Sequence, residues 1–441
     1  MMTPALTRGQ RRWVLIAVLL GWMGAGIEMS LMIPTARPAI QDFVGVDSAG
    51  IEVTADQWLS WFVAAFLLGA AAGGLFFGWL GDRAGRVRAM GASILCYSLI
   101  TGLGYLARTP EQLLVLRFLA CLGIGGMWPT GVALVREALP SLSRPMAAGL
   151  IGTSANVGFL IFGIVMIYHP ITRDSWRWVM LLGAAPAALG CLVWLALPES
   201  PEWLAQRQVR ASRLAPEASA LTSVFRPPLL RLTLLGIFLG TIPLLGGWAS
   251  VQRLVPWAGQ VSERAGLPDL KPMTQIILAC GAVLGSLLGG WAASGMGRRL
   301  SYSLMSSGSL GLSAYIFLSL NPADRAFPWA VFALGFVSTM FYGWLPYFLP
   351  ELFPTAVRAT GIGVSYNFGR ILSAIVLLSS TALSSWFGGD IAKMGAVTSL
   401  VYLAGLALAL VIPNRDAVPP IVSDPLPAFT SQPLTNRERS Q

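Results

Sequence analysis

Three ionisable side chains lie deep inside apolar stretches of this sequence, at Glu28, Arg117 and Arg370. A charge in the middle of a membrane helix costs about 2.5–3.5 kcal/mol on insertion scales, so each one needs a partner or a water-filled cavity. Arg370 has no acidic residue in its own apolar run. A guanidinium in that setting can bind a carboxylate through two parallel hydrogen bonds. A structural pair with Glu28, or with a helix carbonyl, is the alternative.

The composition indicates which elements position these side chains. Of the 441 residues, 55% are hydrophobic and 11% are charged, against roughly 25% charged in a soluble domain. A membrane-spanning helix needs about 20 mostly apolar residues, and the chain contains twelve such runs. They lie at 13–36, 58–80, 89–107, 112–136, 146–168, 177–197, 229–251, 273–293, 301–320, 327–349, 361–385 and 394–413. The sequence therefore predicts an all-α membrane protein with twelve transmembrane helices.

Several classes of function are excluded by the same inventory. All four cysteines sit inside apolar runs, where they are typical buried hydrophobes rather than a disulfide framework. The basic residues are not gathered with interleaved aromatics, so a nucleic-acid partner is not expected. There is no Gly-rich phosphate loop ending in Lys, and no nucleophile–base or metal constellation. We therefore expect neither an enzyme nor a cofactor.

The basic residues also predict an orientation. With the N-terminus inside, the inner segments carry roughly twice as many Lys and Arg as the outer ones, as the positive-inside rule requires. Both termini should then be cytoplasmic. Arg-rich, Lys-poor usage and short loops favour the inner membrane of a bacterium.

Two loop motifs occur twice at nearly the same spacing. Residues 78–86 (Gly-Trp-Leu-Gly-Asp-Arg-Ala-Gly-Arg) align with 290–298 at an offset of 212, and Glu137, Pro140 and Arg144 match Glu351, Pro354 and Arg358 at an offset of 214. Duplication of a six-helix unit explains both matches. The predicted organisation is an N-terminal bundle at 1–197, a cytoplasmic linker at 198–228, a C-terminal bundle at 229–413 and a disordered cytoplasmic tail at 414–441.

These motifs resemble those of the major facilitator superfamily. The 78–86 loop is similar to the loop between the second and third helices of that family. Residues 198–204 (Pro-Glu-Ser-Pro-Glu-Trp-Leu) and 351–361 resemble two motifs of its sugar-porter-like branch, with Glu202 where Arg is usual. The resemblance implies two six-helix domains that rock around a site near the membrane midplane, which is alternating access.

The resemblance also assigns a proton site and a gate. Organic-acid symporters of this kind often carry G-W-x-x-D-x-x-D in the first helix, and Glu28 takes the second acidic place while Ala25 takes the first. Proton coupling is thus assigned to Glu28 and Arg117. An ion pair that holds two helices is the alternative for Glu28, and helix bracing is the alternative for Arg117. Gating is assigned to the loop charges Asp82, Arg83, Arg86, Glu137, Arg144, Glu351 and Arg358. We expect Asp82 to face a helix N-terminus or a neighbouring Arg, and Glu137–Arg144 and Glu351–Arg358 to form matching pairs. Ser294 replaces the Asp in the second copy, so its lock should be weaker.

Organic-anion carriers related to this branch have an Arg twelve residues after the last motif Arg, and Arg370 follows Arg358 by twelve. Substrate binding is therefore predicted for Arg370 with Tyr366 and Asn367, which lie four and three residues before it and can share its helix face. Asn156, Tyr342 and Trp344 are further candidates, and simple packing is the alternative for each. Protonation of Glu28, which is possible for a desolvated carboxylate, is expected to free Arg370 for the substrate.

The sequence therefore predicts a secondary transporter of a small organic anion, a carboxylate, driven by protons and surrounded by lipid, and most simply a monomer. A sugar facilitator is the second possibility, although Gly152–Asn156 and Leu244–Ser250 lack the glutamine-rich stretches that sugar porters carry in their fifth and seventh helices. An organic-cation or drug exporter that uses Glu28 is the third. A receptor that has lost transport activity is a further alternative.

Overall fold

A computed structural model describes residues 6–45, 51–140, 142–211, 220–267, 269–354, 357–386 and 390–413. The predicted tail at 414–441 lies outside the described residues. The helices are α1 Arg8–Val44, α2 Ile51–Ala84, α3 Arg86–Leu103, α4 Pro110–Ala138, α5 Arg144–Tyr168, α6 Trp178–Ala184, α7 Ala187–Ala196, α8 Pro201–Ala211, α9 Ala220–Val224, α10 Leu229–Ala249, α11 Leu254–Ala265, α12 Leu270–Gly295, α13 Arg298–Ser319, α14 Phe327–Phe348, α15 Arg358–Trp386, α16 Ile391–Ser399 and α17 Val401–Ala409.

The predicted all-α class is confirmed, with no strand among the described residues. Among the described residues, eleven segments are long and apolar enough to cross a membrane, and α6–α7 and α16–α17 each count as one of them. The serine-rich α13 is less apolar and completes the set of twelve. Pro186 interrupts the sixth segment between α6 and α7, whereas Pro129, Pro243 and Pro346 lie inside continuous helices.

Local sequence explains where the helices begin. Thr7 and Gln10 form a capping box at α1, with bonds of 3.2 and 2.9 Å between side chain and backbone. Gly85 and Gly297, equivalent in the two repeats, precede α3 and α13 with φ of 115° and 86°. Only glycine adopts that backbone without strain, so the repeated motif fixes the same sharp turn in both halves.

Rows of glycine allow the helices to approach closely, as their four-residue spacing predicts. In the first half, a side chain at Gly73 of α2 would collide with the backbone of Leu122 in α4. In the second half, Gly285 of α12 stands in the same relation to Phe336 of α14. The two halves are thus built from the same close pairs, α2 with α4 and α12 with α14.

The halves meet along two further pairs, α2 with α15 and α5 with α12. The loops at residues 82–86 and 294–298 lie at one end of the bundle, which we call the motif face. The division into bundles at 1–197 and 229–413 with a linker between them stays a prediction. The linker carries two short helices, α8 and α9.

Candidate functional site

A cavity lies between the two halves and encloses about 920 Å³, part of it open to solvent. Four of the six predicted substrate residues line it: Asn156 of α5, Tyr342 of α14, and Tyr366 and Arg370 of α15. The cavity extends to Gln252 and Gln275, which lie where α10 has ended and α12 begins, and therefore away from the motif face.

Arg370 is 2% exposed, and its guanidinium is only partly satisfied by the protein. Its Nη1 donates to the Asn367 Oδ1 at 2.8 Å, and its Cζ lies 5.0 Å from the centroid of the Tyr366 ring. Its Nε has no hydrogen-bond partner within the described part of the chain, where no carboxylate pairs with Arg370 either. A buried cation beside a cavity, with its Nε donor unused, is suited to binding an anion.

Tyr366 and Asn367 both contact Arg370, as their spacing along α15 predicts. The Tyr366 ring also stacks on Trp128, with centroids 4.3 Å apart and 21° between the planes. Asn367 does not line the cavity. Its Nδ2 donates to the Gly363 carbonyl at 2.8 Å, so the amide is fixed and in turn fixes Arg370.

Trp344 lies elsewhere, and its predicted place at the substrate site is wrong. It is fully buried inside the C-terminal half, where its Nε1 donates to the Ser301 Oγ at 3.0 Å. The ring packs against Tyr302 and Phe348. Successive helix residues are rotated by about 100°. Tyr342 faces the cavity, so Trp344, two residues further on, faces away from it.

Sequence reasoning missed most of the aromatic wall. Trp22, Phe66, Trp128 and Trp248 line the cavity together with Tyr366. The repeat could have revealed Trp128, because it lies 214 residues before Tyr342. Asn156 stands at the same offset from Arg370. The two halves therefore contribute equivalent positions to the cavity, with different side chains.

The predicted proton-coupling residues form a buried ion pair. The Arg117 Nη1 lies 2.5 Å from the Glu28 Oε1 and 3.0 Å from the Glu28 carbonyl oxygen. The pair joins α1 to α4, so it also braces two helices. The expected direct link between Glu28 and Arg370 is wrong in this structure, since Glu28 is paired with Arg117 instead.

The predicted gating residues of the N-terminal half form a buried network around Arg86. Its guanidinium pairs with Asp82 and with Glu137, the latter at 3.1 Å. The second Asp82 oxygen accepts a hydrogen bond of 2.6 Å from Thr360 in the first turn of α15. The expectation that Asp82 faces a helix N-terminus or a neighbouring Arg is confirmed by its contacts with Arg86 and Thr360. The contact with Thr360 ties the two halves together at the motif face.

The linker holds this network in place. Glu199 accepts hydrogen bonds from the backbone N–H of Arg86 at 2.9 Å and of Val87, and so caps α3. Burial raises the pKa of Glu199, although these backbone hydrogen bonds act in the opposite direction and lower it. The Ser200 Oγ donates to Glu137 at 2.6 Å, and the Trp203 Nε1 donates to the Asp82 carbonyl at 3.0 Å. The 198–204 motif therefore acts as a clamp on this network, a contact that its resemblance alone did not reveal.

In the C-terminal half, Glu351 pairs with Arg298 and, at 3.1 Å, with Arg144 of the other half. The predicted pairs Glu137–Arg144 and Glu351–Arg358 are therefore wrong. Within the halves, Arg86 pairs with Glu137 and Arg298 pairs with Glu351. Arg144 pairs with Glu351 across the boundary between the halves. These partners are far apart in sequence, so loop spacing did not reveal them.

Arg358 faces a second cavity of about 960 Å³ at the motif face, which Arg136, Arg144 and Glu202 also line. Burial, followed by repulsion from Arg136, lowers the pKa of Arg358 to about 10. Arg83, also predicted for gating, is exposed, and its guanidinium lies 5.4 Å from the Trp79 ring centroid.

Comparison with known proteins decides the family. Residues 14–377 match the sequence profile described as Major Facilitator Superfamily. The chain belongs to this superfamily. The predicted resemblance is confirmed, and the protein is a multi-pass membrane transporter rather than an enzyme.

Among curated relatives of this superfamily member, a cis,cis-muconate transport protein of Acinetobacter baylyi is 30% identical over 364 residues, covering 80% of this chain and 84% of the relative. A gallate transporter of Pseudomonas putida is 27% identical, covering 79% and 81%. Among solved structures, the proton:xylose symporter XylE superposes with a TM-score of 0.72 at 17% identity, covering 93% of this chain and 97% of XylE. That likeness shows the shared fold.

Proposed function

We propose that this transporter carries a small organic carboxylate, which binds to Arg370 in the central cavity. The proposal rests on one observation: the buried Arg370 guanidinium lies beside the cavity, and no described protein group accepts a hydrogen bond from its Nε. The relatives support the same class of cargo, since muconate and gallate are both carboxylates. The fixed positive charge disfavours cations and gives no advantage to a neutral sugar.

The walls of the cavity favour a planar or unsaturated acid. The stacked Trp128–Tyr366 pair and the Phe66–Trp248 pair, with centroids 4.8 Å apart, present flat apolar surfaces near Arg370. Aromatic rings contribute about 0.5–1.5 kcal/mol per favourable pair beyond the burial of area. A benzene ring or a conjugated chain would gain from this surface once its carboxylate is bound.

The cycle that we infer is alternating access with both halves moving about the cavity. The cavity reaches away from the motif face, while the Asp82–Thr360 and Arg144–Glu351 contacts close the motif face. With the motif face cytoplasmic, as the basic residues predict, this is an outward-facing state. The proposal includes a monomer in a bacterial inner membrane with both termini cytoplasmic.

Proton coupling is assigned to Glu28 and Arg117. Their ion pair is buried at 1% and 6% exposure, and such a pair depends on the ionised carboxylate. A proton on Glu28 would release Arg117 from its partner. Cargo and proton would then move together, which is symport.

Uptake by proteoliposomes tests the anion site. We expect saturable uptake of labelled benzoate, muconate or gallate, and none of glucose. Arg370→Gln should lower uptake at least 100-fold, because a single charged hydrogen bond contributes about 1.5–3 kcal/mol and this site makes two. Arg370→Lys, which keeps the charge but loses the paired donors, should retain part of the activity. Full uptake by Arg370→Gln, or saturable uptake of glucose instead of the acids, would contradict the proposal.

The proton site needs a separate measurement. Glu28→Gln should abolish accumulation driven by a pH gradient while it preserves exchange of labelled for unlabelled acid, because the variant still binds cargo but carries no proton. Accumulation that still follows the pH gradient would remove Glu28 from the coupling step.

A further inference from the structure

One aromatic ring contacts both functional arginines. The Cζ of Arg117 and the Cζ of Arg370 each lie 5.7 Å from the centroid of the Phe66 ring. Both distances fall within the range of a cation–π interaction, about 6 Å. Phe66 is 1% exposed and belongs to α2, whereas the two arginines belong to α4 and α15. The proton pair and the anion site therefore share a neighbour from a third helix.

The contacts with this ring also limit the distance between the guanidinium groups of Arg117 and Arg370. Since each guanidinium carbon is 5.7 Å from the same centroid, the two carbons are at most about 11 Å apart. The Phe66 ring packs in addition against Trp248 of the other half, with centroids 4.8 Å apart. The ring that contacts both cations is buried aromatic carbon, which screens charge much less than water does.

The remaining groups around the proton pair are neutral at physiological pH. Tyr97 of α3 and Cys121 of α4 interact with Glu28, and Thr101 of α3 lines the small space beside it. On α6 the neighbours are Met180 and Gly183. Within the described part of the chain, the charge that pairs with Glu28 is Arg117, and the Phe66 ring that contacts Arg117 also contacts Arg370.

We propose that Phe66 is a positioning residue that couples protonation of Glu28 to anion binding at Arg370. The inference rests on the proposed function and replaces the direct Glu28–Arg370 contact that the sequence predicted. While Glu28 is ionised, it cancels the charge of Arg117. When Glu28 takes up a proton, the charge of Arg117 becomes uncompensated and adds to the positive potential at Arg370. Anion binding is strengthened, and by linkage the bound anion favours the protonated carboxyl.

The size of the effect follows from the separation. Two unit charges about 11 Å apart at an effective dielectric constant of about 20 interact strongly enough to change an affinity about tenfold. That factor corresponds to about 1.4 kcal/mol. The protonated protein should bind the carboxylate about ten times more tightly than the deprotonated one.

Ring-fluorinated phenylalanines at position 66 test the proposal. One, two or three fluorines keep the shape of the ring but weaken its negative face, and so reduce the cation–π attraction in steps. The full chain in lipid nanodiscs would be titrated with benzoate, which stays ionised, at about pH 5.5 and about pH 8. We expect the ratio of the two dissociation constants to fall stepwise from about tenfold to below about threefold. A ratio that stays constant along the series overturns the proposal.

Phe159 supplies a matched control. It lines the same cavity, and none of the ring–guanidinium contacts of the described residues involves it. Phe159→Leu should weaken benzoate binding equally at both pH values. If this variant reduces the pH ratio as much as trifluorophenylalanine at position 66 does, the special role of Phe66 is overturned.

A measurement without any anion separates this proposal from the proposed function. The infrared carboxyl band of Glu28, assigned through Glu28→Gln, gives the midpoint of its titration. If Phe66 holds Arg117, this midpoint should move stepwise with the number of fluorines. Failure of the wild-type protein to bind any carboxylate would end the proposed function, yet the infrared series would still decide: a moving midpoint supports the role of Phe66, and a fixed one overturns it.

Discussion

The two halves present the same ionic motif at the motif face, but they place it in different surroundings. Arg86 pairs with Glu137 in the first half, and its repeat equivalent Arg298 pairs with Glu351 in the second. The Arg86 and Glu137 side chains are 1% and 0% exposed, against 10% and 13% for Arg298 and Glu351. The duplicated sequence therefore supplies the pair, and the neighbouring segments decide how strongly it is held.

The difference comes from what surrounds each pair. Asp82 and the 198–204 clamp enclose Arg86, and Asp82 reaches Thr360 across the domain boundary. In the second half Ser294 takes the place of Asp82, and its Oγ bonds to the Trp291 carbonyl of its own helix at 3.0 Å. There the crossing contact is made by Arg144, whose side chain is 61% exposed. The Asp82–Thr360 contact between the halves is thus buried, whereas the Arg144–Glu351 contact is exposed to solvent.

Removing each central arginine should produce the largest difference. Arg86→Met leaves the Asp82 and Glu137 carboxylates buried without their cation, which should lower the free energy of unfolding by about 3–5 kcal/mol. Arg298→Met should cost about 1–2 kcal/mol, because Glu351 lies closer to solvent and keeps Arg144. Denaturant unfolding of both variants in detergent measures the two costs. Equal losses would show that the two pairs are held alike.

Restoring the missing carboxylate should reduce the asymmetry. Ser294→Asp places an acid at the position equivalent to Asp82, where it can pair with Arg298. A partly exposed pair of this kind contributes about 0.5–1 kcal/mol, so closure of the motif face should be favoured and turnover should fall by about two- to fivefold. Ser294→Asn is the matched control without charge. Unchanged turnover in Ser294→Asp would show that the second loop takes no part in the gate.

The smallest effect concerns Glu202, which stands beside the first network only. Burial, and then repulsion from Glu137, raises the pKa of Glu202 above its usual 4.5. The folded state therefore binds this proton more tightly than the unfolded state does, so ionised Glu202 lowers stability at neutral pH. Glu202→Gln should raise the melting temperature at pH 7. The gain should shrink as the pH falls through the raised pKa and vanish below about pH 4. A gain that is independent of pH would contradict this origin.

Sequence patterns predicted what depends on one helix or on one copied segment. The apolar runs predicted the twelve segments, and the i−3 and i−4 spacing placed Asn367 and Tyr366 at Arg370. The motif copied at an offset of 212 forms matching turns at Gly85 and Gly297. Helical periodicity within α14 also explains why Trp344 points away from the cavity while Tyr342 faces it. The sequence prediction had placed both residues at the substrate site because of their residue types alone.

Patterns failed where the answer depends on packing between helices. The guanidinium partner of Glu28 is Arg117 rather than Arg370. Glu351 pairs with Arg144 of the N-terminal half rather than with Arg358 of its own half. Several arginines were available to each acid, and only the angle and depth of helix contacts select among them. The proposed role of Phe66 could not be predicted for the same reason, since the sequence alone does not distinguish it from other aromatic core residues in apolar runs.

The stack of Trp128 on Tyr366 has a practical consequence. Trp128 belongs to α4 of the first half and Tyr366 to α15 of the second, so the two rings part whenever the halves tilt against each other. An indole in contact with a phenol differs in fluorescence lifetime from one that faces open space. Difference spectra of the wild-type protein against Trp128→Phe should therefore follow each turn of the transporter in real time, with no attached dye.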